Sequence, residues 1–319
     1  MNINKHSRLI ILGSGPAGYT ASIYAARANL NPILITGLIQ GGQLTTTNEV
    51  DNWPSAYNGI LGPDLMNNFL KHSKRFGTEI LNDNITDVDL NSKPFQLIGE
   101  YNNKYTCEAL IISTGASFKK LGLKSEEKFF GKGISNCATC DGFFYKGKDV
   151  TVVGGGNTAI EEAIYLSNIC KSVTLIHRHD KFKAEPIILE KFFKKVSSGI
   201  IKIKLFCTIN DIHGNDSNIS SLDIFNAQLN QLETIKTDAL FIAIGHQPNT
   251  SIFKNKIEMS ENYLLTKKFN DEFATMTSIN GVFAAGDVQD SIYRQAITSA
   301  ASGCMAAIDA IKWLEYEGK

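Results

Sequence analysis

No apolar run in this 319-residue chain approaches the ~18 residues that a membrane-spanning helix needs. The first one, Leu9-Ile10-Ile11-Leu12, is cut off at Gly13. That is too short for the core of a signal peptide, so the chain is read as cytoplasmic. Charge of either sign is not in excess: 32 basic residues face 32 acidic ones. This balance removes a general attraction to nucleic acid or to an anionic membrane, and neither is expected as a partner. Cysteine is sparse. Six residues with no export signal read as reduced thiols rather than a disulfide framework. One pair alone, Cys137 and Cys140, has C-x-x-C spacing. A zinc site wants two further ligands, commonly a second such pair, so no metal is expected. There is no low-complexity linker. What remains is an ordinary globular composition, 43% hydrophobic, of a length that suits two domains at ~150 residues each.

Two stretches follow one plan. The first opens with Leu9–Leu12 and Gly13-Ser14-Gly15-Pro16-Ala17-Gly18, and closes after Ala109-Leu110-Ile111-Ile112 at Gly115. The second opens with Val150–Val153 and Gly154-Gly155-Gly156-Asn157-Thr158-Ala159, and closes after Ala239–Ile244 at Gly245. Each glycine turn leads into a helix with small residues on one side and then a short strand. Strand, glycine turn, helix and strand imply a parallel sheet with a right-handed crossover. The tail holds one more strand, Gly281–Ala285, then Gly286-Asp287 and a helix from about Arg294 to Trp313. It is too short for a third core, so it is expected to return to the first domain. The expected fold is α/β, with two Rossmann-like dinucleotide-binding domains of the FAD/NAD(P)-binding type, the second inserted into the first. The first domain then covers residues 1–117 and 247–319, and the inserted one covers 118–246.

A dinucleotide's pyrophosphate needs backbone N–H groups and the positive end of a helix. Gly13 permits the tight turn, Gly15 lets the pyrophosphate approach, and Gly18 lets the helix pack on the strand. Gly154, Gly156 and Ala159 fill these roles in the second copy, around Asn157 and Thr158. The copies differ where ribose is read. The second strand of the second copy runs into His177-Arg178-His179-Asp180-Lys181-Phe182-Lys183. Arg178, Lys181 and Lys183 suit a 2′-phosphate, hence NADPH. The first copy has Thr36-Gly37 there, with neither acid nor cation, which disfavours NADP and leaves FAD. Asp287, at the end of a buried strand, can bind a ribitol hydroxyl.

Cys137-Ala138-Thr139-Cys140 suits thiol–disulfide exchange, in which one thiol attacks and the other resolves. Asp141 follows directly and could carry a proton to or from the leaving thiolate. Phe143 and Phe144 are adjacent aromatics that could anchor a protein partner.

Together these motifs closely resemble bacterial low-molecular-weight thioredoxin reductases. The likeness runs through Ile11–Ala26, Thr36-Gly37, Gly41–Thr47, Asn52-Trp53-Pro54, Cys137–Tyr145, Gly154–Glu162, Ala243–Asn249 and Gly281–Ala300. It implies FAD in the discontinuous domain, NADPH in the inserted one, thioredoxin as protein substrate and a homodimer. By resemblance, FAD contacts fall on Gly13, Gly15, Gly18, Thr36, Gly37, Gly41, Gly42, Gln43, Thr47, Asn52 and Asp287, with Arg294, Gln295 and Ala296 at the flavin ring. Cys140 is then the sulfur nearest the flavin, Cys137 the one that attacks thioredoxin, and Asp141 the acid. The family usually reads the 2′-phosphate with H-R-R-x-x-x-R. Arg178 matches that pattern, while His179 and Lys183 depart from it, which bears on selectivity for NADPH. Two rivals are a peroxiredoxin-reducing flavoenzyme of similar fold and a non-catalytic flavin- and nucleotide-binding protein. The first type carries an added N-terminal thioredoxin-like module, which the eight residues before Leu9 do not supply. The intact Cys-x-x-Cys-Asp argues against the second. Because disulfide and nicotinamide must both reach one flavin, the inserted domain is expected to swing, hinged near residues 113–117 and 245–249.

Overall fold

A computed structural model describes residues 3–47, 49–267 and 272–317. By compactness the chain divides into residues 1–117 with 247–319 and residues 118–246.

In the first unit, β1 (Asn4–Leu12) ends in the run Leu9–Leu12, all of it buried. A strand covered on both faces needs apolar residues at every position. Leu9 and Ile11 point to one side, where they meet Ala21 and Ala25 of α1 (Pro16–Arg27) and Ala306 and Ala310 of the C-terminal helix Ala296–Glu317. Ile10 and Leu12 point to the other side. There they join residues of β4 (Ile85–Asp89) and β5 (Phe95–Gly99), among them Val88, Phe95 and Leu97. With β2 (Ile33–Ile35), α2 (Gly62–Arg75), β3 (Glu79–Leu81) and β6 (Lys104–Ile112), the sheet runs β3-β2-β1-β6-β5-β4. Beside β6, antiparallel β5 pairs at Phe95–Cys107, and parallel Val282–Ala284 pairs further along at Leu110–Ile112. The helical side closes tightly because its residues are small. A Cβ on Gly303 would stand 2.1 Å from the Ala17 carbonyl oxygen.

The second unit has a parallel sheet in the order Ile201–Lys204, Ser172–Ile176, Asp149–Gly154, Ala239–Ala243, Ile134–Ser135. Val150 and Val152 face the helices Asn157–Leu166 and Pro186–Ser197. Val153 faces a three-stranded antiparallel sheet, Cys207–Gly214, Ile219–Asn226 and Gln231–Lys236, through Ile209, Leu222 and Ile224. Among the described residues no helix is long and apolar enough to cross a membrane.

The C-terminal helix begins at Ala296, two residues later than the sequence suggests, and runs to Glu317. Arg294 has φ +47°, which no α-helix admits. The antiparallel β4–β5 pair and the three-stranded sheet have no counterpart in the sequence reading.

Candidate functional site

In the first unit, Gly13 has φ +102°, and a Cβ there would lie 2.2 Å from the Ser113 carbonyl oxygen. A Cβ on Gly18 would lie 1.9 Å from the Gly13 oxygen. Both positions are glycine because the chain itself occupies the space. Gly15 is different. It caps α1 in extended conformation, and a Cβ on it would meet nothing within 4 Å. The free space lies at the start of a 12-residue helix, where a pyrophosphate would be received. The cradle therefore fits a dinucleotide.

Ser14, to which the sequence reading assigned no role, ties three segments together. Its Oγ donates to the Thr36 carbonyl at 3.0 Å and accepts from the Gly41 N–H at 2.9 Å. Gly42 then sits against Gly15, with 3.3 Å between its would-be Cβ and the Gly15 Cα. The Gly37 N–H donates to the Asp83 carbonyl at 3.0 Å. Gln43 Nε2 donates to the Ala116 carbonyl. Thr47 closes the 3₁₀ turn Gly42–Thr46, its N–H donating to Leu44 at 3.1 Å. A second group forms where Asn52 Nδ2 donates to Gln295 Oε1 at 3.1 Å. Beside it the Arg294 N–H donates to Asp290 Oδ2 at 3.1 Å, and Ala296 begins the C-terminal helix.

Asp287 follows Gly286, whose would-be Cβ lies 3.0 Å from the Ala17 Cβ, so this carboxylate lies close to the start of α1. Its Oδ1 accepts from Ser299 Oγ at 2.9 Å. Burial pushes its carboxyl up from the ordinary 3.8 to about 6, against the smaller opposing effect of Ser299. A carboxyl raised on folding binds its proton more tightly in the folded chain. Stability therefore falls as pH rises through the window from 3.8 to about 6 and stays lower above it. In flavin-free protein, Asp287→Asn should match the parent near pH 4 and exceed its stability by about 2–3 kcal/mol above pH 7. Urea unfolding at the two pH values checks this. A constant difference would mean that the Asp287 charge is not the cause.

In the second unit, a Cβ on Gly154 would lie 2.3 Å from the Ala243 carbonyl oxygen and 2.7 Å from the Ala159 Cβ, so the turn and its helix are pressed together. Gly156 caps the helix Asn157–Leu166, and its would-be Cβ has only the Lys183 oxygen near, at 3.9 Å. Thr158 lies in the first turn of that helix. Asn157 Nδ2 donates to Glu185 Oε1 at 3.2 Å, while its Oδ1 accepts the Glu185 N–H at 2.9 Å. The Lys183 N–H donates to the Gly155 carbonyl at 2.7 Å, so the cationic loop is fastened to the fingerprint. Arg178, His179, Lys181 and Lys183 are exposed. His177 holds the loop from inside. Its ring abuts Gly155, its Nε2 lies 3.0 Å from the Lys181 carbonyl, and burial keeps its pKa below the usual histidine range.

In the same unit Cys137 and Cys140 form a disulfide, with Cα atoms 5.3 Å apart. Both residues are half-buried. The intervening turn is helical over Ala138–Asp141, and the Asp141 N–H donates to the Cys137 carbonyl at 3.1 Å. Ser135 organises the turn. Its Oγ accepts from the Cys137 N–H at 3.0 Å and donates to Asp141 Oδ2 at 2.5 Å. Burial raises the Asp141 pKa, and the Ser135 hydrogen bond opposes part of that rise. Asp141 is thus a half-buried carboxyl with a fixed orientation, suited to hold or release a proton. Ala138 N–H donates to Glu162 Oε1 at 3.1 Å. Phe143 and Phe144 are 63% and 43% exposed, an unusual state for two adjacent aromatics. Ser135 and Glu162 went unread in the sequence. Only the position of Ser135 two residues before Cys137 could have pointed to it.

A disulfide on a unit with its own dinucleotide turn, in a chain with a second such turn, defines a pyridine nucleotide-disulphide oxidoreductase. The sequence model of that family, Pyridine nucleotide-disulphide oxidoreductase, matches residues 7–303. A thioredoxin reductase of Vibrio cholerae is 55% identical over 315 residues, covering 99% of each chain. A Pseudomonas fluorescens protein named glucosaminate ammonia-lyase is 54% identical over 311 residues, 98% of this chain and 97% of its own. The solved structure of a Giardia duodenalis thioredoxin reductase superposes with a TM-score of 0.90 at 39% identity, covering 98% of this chain and 99% of that one. The chain belongs to the thioredoxin reductase family of pyridine nucleotide-disulphide oxidoreductases.

Proposed function

We infer that this chain is an NADPH-dependent thioredoxin-disulfide reductase using FAD. The observation that carries this reading is the half-buried Cys137–Cys140 disulfide beside the half-buried, oriented Asp141. FAD is assigned to the unit of residues 1–117 and 247–319. It would be held by the Gly13–Gly18 turn, Thr36, Gly37, Gly41–Gln43, Thr47, Asn52, Asp287 and Arg294–Ala296. NADPH is assigned to the unit of residues 118–246, on Gly154, Gly156, Asn157, Thr158, Arg178, His179 and Lys183. When bound, FAD supplies the two-electron relay between nicotinamide and disulfide.

The chain's own residues perform the exchange. Once the pair is reduced, the Cys137 thiolate attacks one sulfur of the thioredoxin disulfide and the other sulfur leaves. Cys140 then attacks Cys137 in the mixed disulfide, releasing thioredoxin as a dithiol and restoring the Cys137–Cys140 bond. Asp141 holds the proton that the departing thiolate takes up. Phe143 and Phe144 are assigned to thioredoxin docking. Ile297, Met305 and Ile308, all exposed, share one face of the C-terminal helix by their spacing. They supply an apolar surface for a second copy of the chain in a homodimer. The assignment is to the cytoplasm, with neither nucleic acid nor membrane as partner.

The test is direct. NADPH should bleach the yellow protein, and oxidised thioredoxin should restore the colour with one NADPH consumed per disulfide. Release of ammonia from glucosaminate without thioredoxin reduction would overturn the reading.

Cofactor choice has its own test. Arg178 offers a planar fork to phosphate, Lys183 only a point charge, and the His179 imidazole lacks the bidentate fork that a guanidinium would present there. His179→Arg should lower the KM for NADPH several-fold and leave that for NADH unchanged. Equal changes for both would remove this loop from the 2′-phosphate site.

A further inference from the structure

The first peptide nitrogen between the two cysteines belongs to Ala138, a fully buried residue. It donates to Glu162 Oε1 at 3.1 Å. Glu162 lies on the helix Asn157–Leu166, which starts at the second fingerprint. The same helix seats the rest of the turn. A Cβ on Gly142 would stand 2.9 Å from Leu166 Cδ2 and 3.1 Å from Tyr165 Cε1. The Glu162 carboxyl is therefore held one peptide away from Cys137 by a hydrogen bond within the turn and by packing of its helix against the residue just past it.

Reduction of the pair creates a thiol that must ionise to attack. N–H donors and positive charge stabilise a thiolate, and a neighbouring anion destabilises it. A pair whose reduced form is stabilised is a stronger oxidant, and one whose reduced form is destabilised gives up electrons more readily. A carboxylate on the N–H of the residue that follows Cys137 acts in the second direction. It takes up the Ala138 donor and sets a carboxylate against the peptide that follows Cys137. We propose that Glu162 is a positioning residue that keeps the Cys137–Cys140 pair strongly reducing toward the thioredoxin disulfide. The proposal rests on the reading of this pair as the thioredoxin-reducing one. In the exchange, two electrons and two protons pass from the dithiol to the partner's disulfide. The Cys137–Cys140 bond forms as the partner's bond opens, so destabilising the dithiol drives the transfer forward. Other titratable groups near the turn include Asp141 on the turn itself, Tyr145 just after it, Lys146 over the Phe143 ring and Tyr165 on the supporting helix.

The experiment uses the flavin-loaded protein. It is equilibrated with known mixtures of oxidised and reduced thioredoxin and quenched with a thiol-alkylating reagent, and the reduced fraction of Cys137–Cys140 is read by mass. Glu162→Gln keeps an oxygen for the Ala138 N–H and removes the charge. It should shift the equilibrium about tenfold toward the dithiol, which is ~30 mV for a two-electron couple. Glu162→Asp keeps the charge and should return most of the way to the parent value. Glu161→Gln, at the exposed neighbouring carboxylate, should leave it unchanged. A Glu162→Gln equilibrium within twofold of the parent would overturn the proposal. So would equal shifts in the Gln and Asp variants, which would assign the effect to packing. A parent pair that never exchanges with thioredoxin is a separate outcome, and it overturns the functional reading as well.

Discussion

A Cys137→Ser, Cys140→Ser double variant is expected to lose thioredoxin reduction by a factor on the order of 10³ or more. It should still bind FAD and still be bleached by NADPH at an undiminished rate. The two outcomes separate because the cysteines lie on a short turn, Ala138–Asp141, whose residues are outside both glycine fingerprints in the sequence. Their substitution removes the last electron acceptor within the protein and leaves the nucleotide turns intact. Four other thiols cannot replace them. Cys107, Cys170 and Cys207 are buried, and Cys304 is half-buried far along the chain. Burial pushes the Cys170 thiol up to about 11, which suppresses its thiolate at neutral pH. Stopped-flow absorbance with NADPH and a coupled thioredoxin assay check the two halves. Retained thioredoxin turnover would make the pair a bystander.

The second large effect divides two glycines of one motif. Gly15→Val should fold with nearly the parent stability and bind FAD roughly 100-fold more weakly, a loss of about 2.7 kcal/mol. Its φ of −70° suits any residue, and the added carbon meets no protein atom; it would meet the pyrophosphate. Gly18→Val should instead destabilise the fold by about 3 kcal/mol, because its Cβ would sit 1.9 Å from the Gly13 oxygen and 2.8 Å from Ser113 Oγ. Urea unfolding of flavin-free protein and flavin titration give the two readings. If Gly15→Val bound FAD normally, the first turn would not be its phosphate cradle.

How far the sequence could be read follows from the range of the interactions. The two fingerprints were legible because each role belongs to adjacent residues: a buried strand, a glycine turn and a helix start. The run Leu9–Leu12 announced a strand covered on both faces. The C-x-x-C pair was legible for the same reason. The contacts that organise these motifs were not. Ser14 joins Thr36 and Gly41, more than twenty residues away, and Glu162 meets Ala138 across a comparable gap. No periodicity encodes such a meeting. His177 was counted with a cationic loop, yet it is the buried ring on which that loop rests. The three-stranded sheet was missed because its outermost strand, Gln231–Lys236, is almost wholly exposed and shows little apolar alternation.

The pairing of Val282–Ala284 with β6, and the crossing of Gly303 on Ala17, set an order of completion during synthesis. The ribosome delivers β1 and β6 early, but the unit they belong to cannot close until residues beyond 303 have emerged. The unit 118–246 begins later and has the last strand of its parallel sheet by residue 243. At ~5–20 residues per second, several seconds separate the two events. During that interval the helical face of the first sheet lacks its last cover, and Leu9 and Ile11 are the side chains a chaperone would find.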